Sequence, residues 1–394
     1  MLKKVRITNF LSCQDTEIEF DNITALIGRN AAGKSNILKT IEYCAQFAVG
    51  KAKFDDYLTN QDVSLVRYDI EFFIDEKIFK YERYTETFYY HTEDYHTEYE
   101  GDVPEIGFAL TEFLLIHIDG NDWGIIAERR DDIAKVNNEE IYINSEAPLI
   151  SSLLALLPQK KINPDIKKIF NYLSGIRYYA LDNDEYINTN YISGNDYKQW
   201  LSKDNKIKSS GIMRLLHLWN TDKELLDEIL ALLGKNGLNL VDNIIITELA
   251  GLPDRNNQTH PFYIVEFNTS NATVNYSQLS YGTQRVLAIL LALLYDKNST
   301  LLIEQPEDGI HTGLLHKLLP LCFEYAEVYN KQLIFTTHSS EAINLFQPEK
   351  IRLVKMTENG TKVSALDKEQ MPFIHDYLKN EGALFDFIKS MNDE

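Results

Sequence analysis

The chain has 394 residues, 44% of them hydrophobic and 25% charged, enough apolar material for the core of one large or two ordinary soluble domains. Its formal net charge of −20 counts against a surface that coats nucleic acid non-specifically, because phosphate binding needs clustered Lys and Arg. No apolar run reaches the ~18 residues of a membrane span, and the opening MLKKVRITNFLS lacks the apolar stretch of a secretory signal.

In chain order, KKVRITNF and TEIEF read as strands, and a third, ITALIG, runs into a glycine turn. A helix follows from about Lys34 to Phe47, with Ile37, Leu38, Ile41 and Ala45 on one face. RYDIEFFI and IFKYERYTETFYY alternate and are rich in Tyr and Phe, the pattern of a β-meander. From about Ala147 to Leu233 the period changes to that of amphipathic helices, in SSLLALL, DIKKIFNYL and GIMRLLHLWNTDKELLDEILALL. No heptad is sustained there, so a compact helical block is expected rather than a coiled-coil arm. Strands return in NIIITEL and FYIVEF, followed by the helix RVLAILLALLY, the buried strand TLLIEQ, another helix and the strand QLIFTTH. KVSALD after Asn359-Gly360 marks a hairpin near the C-terminus.

The sharpest chemical signal is GRNAAGKS, Gly28 to Ser35, which fits the phosphate-loop pattern G-x-x-x-x-G-K-[ST] between a strand and a helix. Gly28, Arg29, Asn30, Ala31, Ala32 and Gly33 would curl backbone N–H groups around phosphate oxygens, and Asn36 follows at the helix start. Lys34 would reach the β- and γ-phosphates of ATP, and the Ser35 hydroxyl would ligate Mg²⁺. A second word, LSYGTQR from Leu279 to Arg285, is by itself compatible with a plain helix cap at Ser280. Glu304 then ends an apolar strand, and His338 ends another.

This order of phosphate loop, Ser-Gly word, acidic strand end and strand-end histidine resembles the ABC-type ATPases, within them the branch of SMC, RecF and OLD-like proteins. ITNFLS, GRNAAGKSN, LSYGTQR, LLIEQPEDGIH and FTTHSSEAI carry the likeness, and OLD-like AAA ATPases of bacterial anti-phage systems have closely similar words. The resemblance implies an α/β fold: a P-loop head of mixed sheet and antiparallel β-meander lobe, with a helical insertion. The corresponding division is residues 1–145, 146–238 and 239–394, the first and last forming the head. Ser280 and Gly282 of one subunit would touch the γ-phosphate held by Lys34 of the other, making ATP the glue of a homodimer, with larger assemblies left open. His338 matches the histidine that contacts the γ-phosphate, and Glu304 the acid that holds Mg²⁺. Gln305 stands where the general base is usually Glu. An amide cannot accept a proton but can orient a water, so slow hydrolysis is expected. Glu307 reads either as a substitute acid or as a solvated residue before the next helix.

By the same analogy, the residues after His338 are too few for the Toprim domain that OLD nucleases carry. A separate effector, nuclease or toxin, is therefore the expected partner, as in Septu-like and PARIS-like systems. The acidic run EDYHTEYEGD, Glu93–Asp102, reads as a solvated face or as its dock. The alternative is a RecF- or SMC-type repair ATPase that clamps DNA, for which a basic groove would have to form at the dimer seam. Cys13, Cys44 and Cys322 have no metal-ligand spacing, consistent with a reduced, cytoplasmic protein.

Overall fold

Alternation in the first strand, Leu2–Phe10, buries Leu2, Val5, Ile7 and Phe10. A turn through Leu11, at φ 52°, returns the chain as the antiparallel strand Cys13–Glu19, with Val5 opposite Ile18. The computed structural model describes residues 1–52, 65–90, 105–119, 122–144, 147–180, 191–202, 210–251, 259–380 and 382–391. The acidic run Glu93–Asp102 lies outside them. The described residues form two compact units, one from Met1–Tyr178, Asn298–Leu302 and Pro348–Asp376, the other from Tyr179–Lys297, Ile303–Gln347 and Tyr377–Glu394.

In the first unit, Leu2–Phe10 also pairs with Leu65–Ile74, which opens the expected meander. The sheet has eight strands and continues through Lys77–Tyr90, Glu105–Asp119, Asp122–Arg130, Ile133–Val136 and Glu139–Tyr142, each antiparallel to the last. Glu112 and Arg129 are buried inside this lobe and hold one another. Arg129 Nη1 meets Glu112 Oε2 at 3.0 Å, both side chains fully buried, and the Tyr81 hydroxyl donates to Glu112 Oε1. The Leu149 N–H donates to Glu112 Oε2 at 3.0 Å, which ties the lobe to the helix Leu149–Leu156. Such a network is tolerated only when its members satisfy one another.

A second, mixed group of strands adjoins the phosphate loop. Ile23–Ile27 runs parallel to Ile351–Thr357, with Ala25 beside Ile351, and Ile351–Thr357 forms the expected hairpin with Gly360–Ala365. The helix Lys34–Ala48 buries far more than one stripe, including Thr40, Glu42, Cys44 and Gln46. Its polar groups are matched: Gln46 Nε2 donates to the Ile176 carbonyl at 3.1 Å and its oxygen accepts from Arg177 at 2.7 Å. An α/β fold with an antiparallel lobe and mixed strands is what the sequence led us to expect.

The segment read as a compact block of amphipathic helices also contains strands. Between the helices Pro164–Ser174 and Gly194–Ser202 lie the strands Ile176–Tyr179 and Ile192–Ser193. Gly175 and the β-branched and aromatic residues after it break the helical pattern. The long apolar pattern from Gly211 to Leu233 is two helices, because Asp222 stops the first and caps the second, accepting from the Leu225 N–H at 3.1 Å.

The second unit has a small antiparallel sheet in which Phe262–Asn268 pairs with Asn243–Leu249, Ile192–Ser193 and Thr273–Asn275. Its centre is the helix Tyr281–Leu294, apolar from Val286 on and largely buried, together with the fully buried strand Gln332–Thr337. The helix Thr312–Val328 precedes that strand. Two C-terminal helices, Met371–Lys379 and Leu384–Ser390, were not anticipated. No described helix is long and apolar enough to cross a membrane.

Candidate functional site

The strand Ile23–Ile27 delivers the chain into the phosphate loop, whose backbone alternates in hand. Ala31 has φ 62° and Gly33 φ 99°, the kind of alternation that turns successive N–H groups toward one point and makes an anion-binding concavity. Gly33 opens the Lys34–Ala48 helix with no side-chain cap, and no acid stands in the first turn. The helix terminus therefore keeps its positive potential for a ligand. A Cβ on Gly28 would lie 2.2 Å from the Val354 carbonyl oxygen, so only glycine lets the loop pass there. Lys34 is 5% exposed, and its ammonium donates to the carbonyls of Gly28 at 2.7 Å and Arg29 at 2.9 Å. A left-handed glycine, an uncapped helix start and a lysine held in the loop together fit a polyphosphate. Asn36 donates through Nδ2 to Ser12 Oγ at 2.9 Å.

The remaining predicted residues lie in the second unit. Ser280 caps the helix Tyr281–Leu294, its hydroxyl accepting from the Thr283 N–H at 3.1 Å and lying 2.8 Å from Thr283 Oγ1. Gly282 is required by packing, since a Cβ there would sit 2.5 Å from the Gly309 carbonyl oxygen. Gly309, at φ 68°, lies under the Tyr281 ring, 2.1 Å from a would-be Cβ to Cδ1. The Ser-Gly turn and the loop after the acidic strand are thus one packed block.

Glu304 ends the strand Thr300–Glu304, and the next residue breaks hand: Gln305 has φ 42°, an unusual region for a residue with a side chain. It is held from both sides. Its N–H donates to the Thr336 carbonyl at 3.0 Å, and its carbonyl accepts from Arg285 Nη2 at 2.6 Å. Glu307 is not solvated, its side chain being 8% exposed. Glu307 Oε1 accepts from the Thr337 hydroxyl at 2.6 Å and the His338 N–H at 3.3 Å, and the His338 ring lies 3.8 Å away. Glu307 Oε2 is buried with no hydrogen-bond partner among the described residues. Such an oxygen is costly to leave alone and is suited to receive a donor. Gln305, Glu307 and His338 are therefore gathered on the threonine-bearing end of one strand.

Three residues outside the predicted set hold these groups. Arg285, 2% exposed, is the one cation of the helix Tyr281–Leu294 and stands just before its apolar run from Val286 on, a signal visible in the sequence. Thr336 and Thr337, both fully buried, stand where a strand core would ordinarily be aliphatic.

A protein-family model described as an AAA ATPase domain matches residues 1–343. Among curated proteins, the DNA replication and repair protein RecF of Clostridium kluyveri is 36% identical over 69 residues. RecF of Clostridium acetobutylicum is likewise 36% identical over 69 residues. Each match spans 17% of this chain and only 17% of the RecF protein. Among solved structures, the SMC head domain from Thermotoga maritima superimposes with a TM-score of 0.43 at 11% identity, covering 93% of this chain and 99% of that one.

Proposed function

The chain belongs to the AAA ATPase domain family, matched over residues 1–343, and on that premise we propose that it is an ABC-type ATPase switched by ATP between separate and paired subunits. ATP would lie in the Gly28–Ser35 loop with Lys34 on its outer phosphates, and Ser35 and Glu304 would hold Mg²⁺ through hard oxygen donors. Ser280 and Gly282 of the partner subunit would close on the γ-phosphate. ATP, and not ADP, then favours the closed pair, because only the triphosphate reaches across the seam. Gln305 would orient the attacking water without taking its proton, with Glu307 and His338 beside it. Hydrolysis would be slow, and the assembled state would dominate while ATP is abundant.

One observation carries this reading: the loop with left-handed Ala31 and Gly33 that holds the Lys34 ammonium at an uncapped helix start. In the cell the switch would serve as a sensor or scaffold of prokaryotic anti-phage defence that controls a separate effector. The motif words shared with OLD-like ATPases support that role. The RecF stretch favours a second reading, a repair ATPase that clamps DNA; the net charge of −20 weighs against it.

Light scattering on the full chain tests the switch. Mass should double with ATP and Mg²⁺, stay monomeric with ADP, and stay monomeric in Lys34→Ala and Ser280→Arg. A mass indifferent to nucleotide would end the proposal. DNA-stimulated turnover that falls steeply with salt would move the cellular role to the second reading.

A further inference from the structure

We infer that Thr361, in the C-terminal hairpin, is a positioning residue for the phosphate loop, acting through its hydroxyl and Ser12. The inference rests on the nucleotide-binding reading of that loop and adds a part to it from outside the family match, which ends at residue 343.

Three stretches far apart in sequence meet at this point. Thr361 is fully buried and fixed by its own backbone: its N–H donates to the Ser12 carbonyl at 2.8 Å, and its carbonyl accepts from the Thr16 hydroxyl at 2.6 Å. The Thr361 hydroxyl is thereby aimed at the loop. It lies 2.8 Å from Ser12 Oγ and 3.3 Å from the Ala32 carbonyl oxygen. With one proton to donate, the shorter contact is to Ser12. Ser12 Oγ also accepts from Asn36 Nδ2 at 2.9 Å, so one serine oxygen ties the hairpin to the first turn of the phosphate-loop helix.

The same hydroxyls crowd Gly33. A Cβ on Gly33 would lie 2.0 Å from Thr361 Oγ1 and 2.8 Å from Ser12 Oγ. The two hydroxyls thus occupy the face that glycine leaves open. The hairpin is held close by the Thr361 N–H bond to the Ser12 carbonyl, and Gly360, at φ 78°, passes so near that a Cβ would meet the same oxygen at 2.6 Å. A methyl group could fill the same space, but only a hydroxyl gives a directional hold on a loop that must keep two left-handed residues. A loop held in its binding conformation loses less freedom when the phosphates arrive.

The test compares ATP–Mg²⁺ binding by calorimetry, and steady-state kcat and KM, in the full chain. Thr361→Val keeps the shape and removes the hydroxyl. It should weaken ATP binding about tenfold, the effect of one lost hydrogen bond, with the loss falling on KM more than on kcat. Thr361→Ser should restore most of the affinity, and Ser12→Ala should reproduce the loss. The double variant should be no worse than Ser12→Ala, because both act through one oxygen. Wild-type affinity in a folded Thr361→Val, or a loss that Thr361→Ser does not repair, would overturn the inference. If Thr361→Val does not fold, Ser12→Ala decides alone, and wild-type affinity there has the same consequence. Lys34→Ala separates the two levels: if it binds ATP as well as wild type, the nucleotide site itself is misassigned.

Discussion

The Arg285 guanidinium donates to the Gln305 carbonyl at 2.6 Å and, through the same nitrogen, to the Glu304 carbonyl at 2.9 Å. Its other arm donates to the Tyr281 hydroxyl at 2.9 Å. The backbone at the acidic strand end is therefore aimed by a residue of the helix that Ser280 caps.

Arg285→Met should take a charged donor from two carbonyls, the Gln305 carbonyl keeping the Asp308 N–H, at a cost on the order of 1–3 kcal/mol in all. Melting temperature and ATP turnover should both fall, while nucleotide binding by the phosphate loop persists. Arg285→Lys should recover little of the turnover, since a point charge cannot span both carbonyls and the tyrosine. Full activity in Arg285→Lys would mean that the charge matters and the fork does not.

Turnover of Gln305→Glu and Glu307→Gln separates the two candidate groups. Restoring a carboxylate at position 305 supplies a proton acceptor, a contribution of about a hundredfold or more where such a base is well placed. Gln305→Glu should therefore hydrolyse ATP faster than wild type. Glu307→Gln should slow it, because the amide can keep an oxygen for Thr337 and His338 but turns the unpartnered Oε2 from an acceptor into a donor. Equal rates in all three proteins would take both residues out of the mechanism.

How much of this was legible in the sequence depends on where each residue finds its partners. The phosphate loop was readable because its backbone demands particular residue types over a few positions: glycine at the left-handed turn, lysine and serine just after it. The strands of the lobe are legible where alternation is strong, up to Tyr90, and Glu105–Asp119 and the shorter strands beyond Asp122 are not. The helical block was overextended because Ile176–Tyr179 is too short to show a period of its own. Glu307 could not be separated from a solvated residue, since its partner Thr337 lies thirty positions on. Thr361 and Ser12 were invisible for the same reason: their hold on Gly33 exists only once both chain ends have folded.

Lys331 supplies a pH dependence. Burial pulls its ammonium down to about 8, and it donates to the Asp296 carbonyl. The unfolded chain binds this proton more tightly than the folded one, so stability should rise with pH between about 8 and the ordinary lysine value of 10.5. Below that window the penalty of the buried charge is fully present. Lys331→Met removes the titration, so wild type should gain melting temperature relative to the variant between pH 7 and pH 9.5. A constant difference across that range would show that the ammonium is not held from water.

Gly309→Ala tests whether the Ser280 turn and the loop after Glu304 move as one body. At φ 68° a side chain at this position costs about 1 kcal/mol in backbone strain alone. The new methyl would also lie 2.1 Å from Tyr281 Cδ1, so the ring must shift, and with it the hydroxyl that accepts from Arg285. The disturbance then passes through Arg285 to the carbonyls of Glu304 and Gln305. Gly309→Ala should lower melting temperature and turnover together, and it should weaken ATP-dependent pairing without weakening ATP binding. Gly313→Ala is the control. Its Cβ would meet nothing closer than 3.6 Å, to His311 Nδ1, and alanine suits the first turn of that helix better than glycine does. If the two variants behave alike, the packing of Gly309 under Tyr281 does not couple the two motifs.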